Sequence, residues 1–184
     1  MTEQRLPDAG DFPRYRRTDG PAATRAWGRR LAGLLHGGEI VLLYGTLGAG
    51  KTCLVQGVCD GLGVQEEVVS PTFTLVGTYT GRLRVHHLDF YRVEAHHDLT
   101  DLGLPDILDE VWDGQAVLLA EWPEPLLGQL GAGARYVELL GRAGPAPERR
   151  TWYVRGVPEL PAAWLDVTEA VANRDRRSGT DPGR

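Results

Sequence analysis

Two stretches of the chain are apolar without a break, Ile40 to Tyr44 and Ala116 to Ala120. Continuous apolar character, in place of alternation, marks a strand covered on both faces, as inside a parallel sheet. From Pro21 to His36 the spacing turns helical, with Trp27, Leu31, Leu34 and Leu35 on one stripe. Gly37-Gly38 offers that helix a stop, because glycine accepts the left-handed conformation of a helix end. Lys51 to Gly61 predicts a second helix that buries Leu54, Val55 and Val58. Phe73 to Tyr79 and Leu83 to Phe90 predict two strands joined at Thr80-Gly81 as a hairpin. The acidic stretch Asp98 to Trp112 holds a helix opening near Pro105, a residue suited to a first helical turn. Arg135 to Leu140 and Thr151 to Val154 predict a further strand pair, split by the Pro/Gly-rich Ala143 to Pro147. Trp164, Leu165, Val167 and Val171 suggest a last helix.

Strands alternating with helices predict an α/β fold, and the hairpin-like stretches make the expected sheet mixed. A chain of 184 residues fits one domain with short appendages. The expected division is an N-terminal extension over 1–20 with a candidate edge strand, a folded domain over 21–173, and a polar, disordered tail over 174–184.

Between the first buried strand and the second helix lies Gly45-Thr46-Leu47-Gly48-Ala49-Gly50-Lys51-Thr52, which matches the phosphate-loop pattern G-x-x-x-x-G-K-[ST]. Glycines let backbone N–H groups turn toward bound phosphates, and the helix N-terminus behind them adds partial positive charge. Lys51 is placed to reach the β- and γ-phosphates of a nucleotide, and the Thr52 hydroxyl to ligate Mg²⁺. The candidate nucleotide-binding set is Gly45, Leu47, Gly48, Ala49, Gly50, Lys51, Thr52 and Cys53. With a buried strand before it and a helix after it, the motif predicts a three-layer P-loop NTPase fold with a mixed, mainly parallel central sheet.

Composition changes this picture at one point. Lys and Arg number 20 together, yet Lys51 is the only lysine. Guanine-specific phosphate-loop proteins read the base with an N/T-K-x-D motif, and no second lysine exists to build one. ATP is therefore expected over GTP. The net charge of −5 argues against coating nucleic acid by bulk charge. No apolar run approaches the roughly 20 residues needed to span a membrane, and Met1 to Gly10 lacks the apolar core of a signal peptide. Cys53 and Cys59 on one helix would sit about 9 Å apart along its axis, beyond the ~7 Å bridging limit. A cytoplasmic protein with reduced thiols is the expectation.

An NTPase also needs a carboxylate near its metal and a group that orients the attacking water. Val85-His86-His87-Leu88-Asp89 ends in one acid, and Val117-Leu118-Leu119-Ala120-Glu121 ends in another, followed by Trp122. From spacing alone either acid serves the metal, and a plain turn or cap residue is the alternative for each. His86 and His87 face opposite ways on a strand, and with His96 and His97 they show no zinc-ligand spacing. Hydrogen-bonded or solvated histidines are expected instead. His86 to Glu124 carries ten acids, among them Glu94, Asp98 and Asp101, against the single base Arg92. Solvated faces explain such a run; a docking surface for a charged partner is the sharper reading.

Taken in order, the phosphate loop, Ser70-Pro71-Thr72-Phe73-Thr74-Leu75, His87-Leu88-Asp89-Phe90-Tyr91-Arg92, Asp101-Leu102-Gly103-Leu104 and Glu121-Trp122-Pro123-Glu124 resemble the TsaE (YjeE) family. The resemblance runs from about Thr24 to Gly156. It implies an ATPase, with ATP and Mg²⁺ as cofactors, that supports a threonylcarbamoyl transferase made of TsaB and TsaD. That transferase modifies the adenosine beside the anticodon of tRNA, so tRNA is met only through the complex. The resemblance further implies Thr52 and Asp89 at the metal, and Glu121 with Trp122 required for hydrolysis, Glu121 also lying within metal reach. Ser70 to Thr74 is implied to be a mobile loop near the γ-phosphate. The chain departs from the family pattern at Thr46, where an acid is usual, and at Cys53, where Thr or Ser is usual.

Two rival functions stay open on the residues. A small-molecule kinase needs an acceptor pocket and an Arg-rich lid, and neither is visible. A nucleotide-gated binding module needs only the phosphate loop.

Overall fold

The computed structural model describes residues 6–93 and 99–171. Glu94, His96, His97, Asp98 and the 174–184 tail lie outside the described residues. In chain order the elements are β1 (Arg14–Asp19), α1 (Gly20–Ala32), β2 (Ile40–Tyr44), α2 (Lys51–Leu62), β3 (Val76–Thr80), β4 (Arg84–Asp89), α3 (Leu104–Trp112), β5 (Ala116–Glu121), α4 (Glu124–Leu127), β6 (Tyr136–Ala143), β7 (Arg149–Val157) and β8 (Glu169–Ala170).

All strands join one sheet in the order β3-β4-β5-β2-β6-β7-β1-β8. Its centre, β4-β5-β2-β6, is parallel, and both flanks are antiparallel. The two unbroken apolar runs are the middle strands β2 and β5, buried along their whole length. Their alternate residues feed two cores. Val41, Leu43, Val117 and Leu119 meet Trp27 and Leu31 of α1 and Leu54, Val55 and Val58 of α2 on one face. Ile40, Leu42, Leu118 and Ala120 meet Leu104, Ile107, Leu108 and Val111 of α3 on the other. Helix, sheet and helix layers follow directly from strands that are apolar on both faces.

β1 comes from the N-terminal stretch and pairs with β7 on one side and the two-residue β8 on the other. Phe12, just before it, is fully buried in the α3-side core.

Three local readings of the sequence differ from the structure. β3 begins at Val76, not Phe73, because the preceding residues turn: Leu75 N–H donates to the Pro71 carbonyl at 2.6 Å, and Leu75 has φ +63. The last predicted helix is a 3₁₀ turn over Ala162–Val167. It stops at the extended Thr168, whose carbonyl and hydroxyl accept from Arg14, and Val171 lies beyond it, bonded to the Pro13 carbonyl. The first helix ends at Ala32, ahead of the Gly37-Gly38 pair. Cys53 and Cys59 both lie on α2 as free thiols, and burial pushes the Cys59 thiol up to about 12. Among the described residues no helix is long and apolar enough to cross a membrane.

Candidate nucleotide-phosphate site

Leaving β2, the backbone turns at Gly45, where φ is +137 and a Cβ would stand 2.6 Å from the Gly141 carbonyl oxygen of β6. Only glycine fits a loop pressed so closely against a neighbouring strand. The loop closes at Gly50, and α2 begins at Lys51. Leu47, Gly48, Gly50, Lys51, Thr52 and Cys53 line one side of a cavity of about 430 Å³, and Asp89, Glu121 and Trp122 line the other. Gly45 and Ala49 are buried behind the loop.

Lys51 is 4% exposed. Its Nζ donates to the carbonyls of Gly45 at 2.8 Å and Thr46 at 3.2 Å, and it stands 3.9 Å from the centroid of the Trp122 ring. Burial lowers the Lys51 pKa, and the negative charges of Glu121, Asp89 and Glu124 oppose that shift. Trp122 has φ +54, a left-handed conformation that costs a side chain of this size energy, and its ring packs on Tyr91 at 5.1 Å. Nearby, both carboxylate oxygens of Glu124 are buried without a hydrogen-bond partner, and burial raises its pKa.

The two candidate acids are adjacent in the parallel register of β4 and β5, yet their partners differ. Glu121 Oε1 accepts the Thr52 hydroxyl at 2.8 Å and faces His87 Nε2 at 3.0 Å. Asp89 Oδ2 accepts from the hydroxyls of Ser70 at 2.5 Å and Thr72 at 2.7 Å, and Oδ1 from the Tyr91 N–H at 3.0 Å. Thr52, Asp89 and Glu121 thus offer one hydroxyl and two carboxylates around a single cavity. Hard oxygen donors in that number suit Mg²⁺, which binds through one or two carboxylates and substrate phosphates. No group of three His, Cys, Asp or Glu able to hold a metal occurs among the described residues. His86 turns away to Glu110 at 2.8 Å on the other face, while His87 turns inward, as strand alternation requires.

Sequence reasoning missed two contacts. His87 shares a face with Asp89 two residues on, a period-2 signal that was available. Arg150 of β7 donates to the Gly48 carbonyl at 3.2 Å, which depends on sheet order and leaves no local trace.

The crystal structure of Bacillus subtilis YdiB matches with a TM-score of 0.59 and 30% identity, covering 87% of this chain and 86% of that one. A phosphate loop between the central strand β2 and α2, on this sheet, is the fold of a P-loop NTPase. The model of the Threonylcarbamoyl adenosine biosynthesis protein TsaE matches residues 18–144, and the chain belongs to the TsaE family. It is 43% identical over 107 residues to the tRNA threonylcarbamoyladenosine biosynthesis protein TsaE of Treponema pallidum, spanning 58% of this chain and 76% of that one. The Bacillus subtilis protein of the same name is 41% identical over 115 residues, 62% of this chain and 69% of its own. The family takes part in tRNA threonylcarbamoyladenosine biosynthesis.

Proposed function

We propose that the chain binds ATP with Mg²⁺ and hydrolyses it, as an accessory factor to a threonylcarbamoyl transferase of TsaB and TsaD in the cytoplasm. tRNA is reached through that complex. The observation that carries this reading is the convergence of Lys51, Thr52, Asp89 and Glu121 on one cavity behind a phosphate loop.

In this reading the loop N–H groups from Gly48 to Cys53 and the Lys51 ammonium bind the phosphates. The Thr52 hydroxyl donates its hydrogen bond to Glu121, so its oxygen lone pairs remain for the metal. Asp89, steadied by Ser70 and Thr72, is the metal-side acid. Glu121 orients the attacking water, and Trp122 walls the lysine. Bound Mg²⁺ supplies neutralisation of phosphate charge.

The test is ATP hydrolysis by the full-length chain, alone and with TsaB, TsaD and tRNA, with modified adenosine read by mass spectrometry. The expected result is phosphate release that rises with the partners, and modified tRNA that depends on it. Phosphorylation of a small metabolite without phosphate release would point to a kinase instead.

A further inference from the structure

His87 occupies a position on β4 where nothing obliges the fold to keep a polar side chain. It is fully buried, on the face that also carries Val85, Leu119 and the α2 core. Its Nδ1 is buried without a hydrogen-bond partner. An apolar residue would fill the space without that unpartnered nitrogen. What an apolar residue would not supply is the contact of Nε2 with Glu121 Oε1 at 3.0 Å. An ionised carboxylate only accepts hydrogen bonds, so this contact needs a proton on Nε2, and in the neutral ring Nδ1 is then bare.

We infer that His87 is a positioning residue for Glu121. The Thr52 hydroxyl and the His87 ring donate to the same carboxylate oxygen. Two donors on Oε1 from separate elements, α2 and β4, fix both the rotation and the tilt of the carboxylate. Oε2 is thereby committed to the cavity, where the attacking water is to be held. Thr52 alone would leave the carboxylate free to turn about that single contact. Orienting partners of this kind typically matter by about 10–100-fold in activity. The inference rests on Glu121 acting in hydrolysis, as proposed above.

The test compares His87→Leu, which removes the donor, with His87→Gln, whose amide N–H reaches a position near Nε2. Steady-state hydrolysis by the full-length chain with its partners, binding of a fluorescent ATP analogue with Mg²⁺, and thermal melting are measured for each. The ring tautomer of His87 in the wild type is read by ¹⁵N-histidine NMR. The expected outcome is a fall in kcat of about 10–100-fold in His87→Leu with KM and nucleotide affinity unchanged, and recovery of most of that loss in His87→Gln. The NMR should show a proton on Nε2. Wild-type kcat in His87→Leu, a loss not recovered by His87→Gln, or an Nδ1–H tautomer would each overturn the inference. If His87→Leu does not fold, His87→Gln and the tautomer decide. If the wild type hydrolyses no ATP with its partners present, the hydrolysis reading fails, and the tautomer still decides whether His87 donates to Glu121.

Discussion

The Lys51 ammonium rests against the face of Trp122, 3.9 Å from the ring centroid, while two carbonyls of its own loop accept its hydrogen bonds. A bound phosphate competes for that charge, and drawing it toward phosphate oxygens weakens its hold on the indole. Titration with Mg-ATP should therefore give a saturable change in tryptophan emission. In Trp122→Phe the change should vanish although the other tryptophans remain. Persistence of the full signal in that variant, with binding verified by calorimetry, would show that Lys51 does not leave the ring.

Lys51→Arg keeps the charge but should abolish ATP binding. The ammonium sits in a buried slot between the Gly45 and Thr46 carbonyls and the indole, where a compact point charge fits and a broad planar fork does not. Calorimetric titration checks this directly; wild-type affinity in the variant is the refuting result.

Glu121→Gln should separate binding from turnover. The amide oxygen can still accept from Thr52 and His87, so the cavity keeps its shape. What is lost is a basic oxygen to orient water, a loss expected to slow hydrolysis by about 10²–10⁴-fold. If nucleotide affinity collapses along with the rate, Glu121 is holding the site together instead of serving the water.

The parts of this site that were legible in the sequence are those written in local order. The phosphate loop is a contiguous string, and β2 and β5 announce themselves as unbroken apolar runs. Asp89 and Glu121 could be named as strand-end acids, but the set of partners that each one meets could not. It depends on β5 lying next to β2 and β4 lying one strand further out, a matter of sheet order. The short α4 escaped because four residues, opened by Pro123 and carrying Pro125, are too few to show a helical period. β8 is two residues long, and it exists only because β1 offers an edge.

On the outer surface of the α1–α2 pair, Asp60 accepts from Arg25 at 2.6 Å and from Arg29 at 3.1 Å. The hydrogen bond from Arg25 is the main cause that holds the Asp60 carboxyl below its ordinary value of 3.8. Its stabilising contribution is therefore complete above that value and is lost as the pH falls through the lower, folded-state pKa. The groups are partly exposed, so Asp60→Asn should cost at most about 1 kcal/mol near neutral pH. Melting curves of the two proteins should differ by a constant amount down to about pH 5 and converge below the ordinary carboxylate range. A gap that widens in acid would mean that the pair is not the source.

The face joining α1 to α2 is a contact of backbone on backbone, and Gly57 sits at its centre. A Cβ there would lie 2.2 Å from the Arg25 carbonyl oxygen, and one at Gly28 would lie 2.5 Å from the Leu54 carbonyl oxygen. Alanine is the better helix former by about 1 kcal/mol, so propensity alone favours Gly57→Ala. Overpacking opposes it, because the atom met is rigid backbone and not the end of a flexible side chain. The helices must separate, and a net loss of about 1–3 kcal/mol is expected in urea unfolding. Gly128→Ala is the matched control, since its φ of −67 suits alanine and no heavy atom lies within 4 Å of the new methyl. Its unfolding midpoint should stay at the wild-type value. Because α2 carries Lys51 and Thr52 at its first turn, Gly57→Ala should also weaken ATP binding, while the control should not. An unchanged urea midpoint in Gly57→Ala would show that the two helices part without cost.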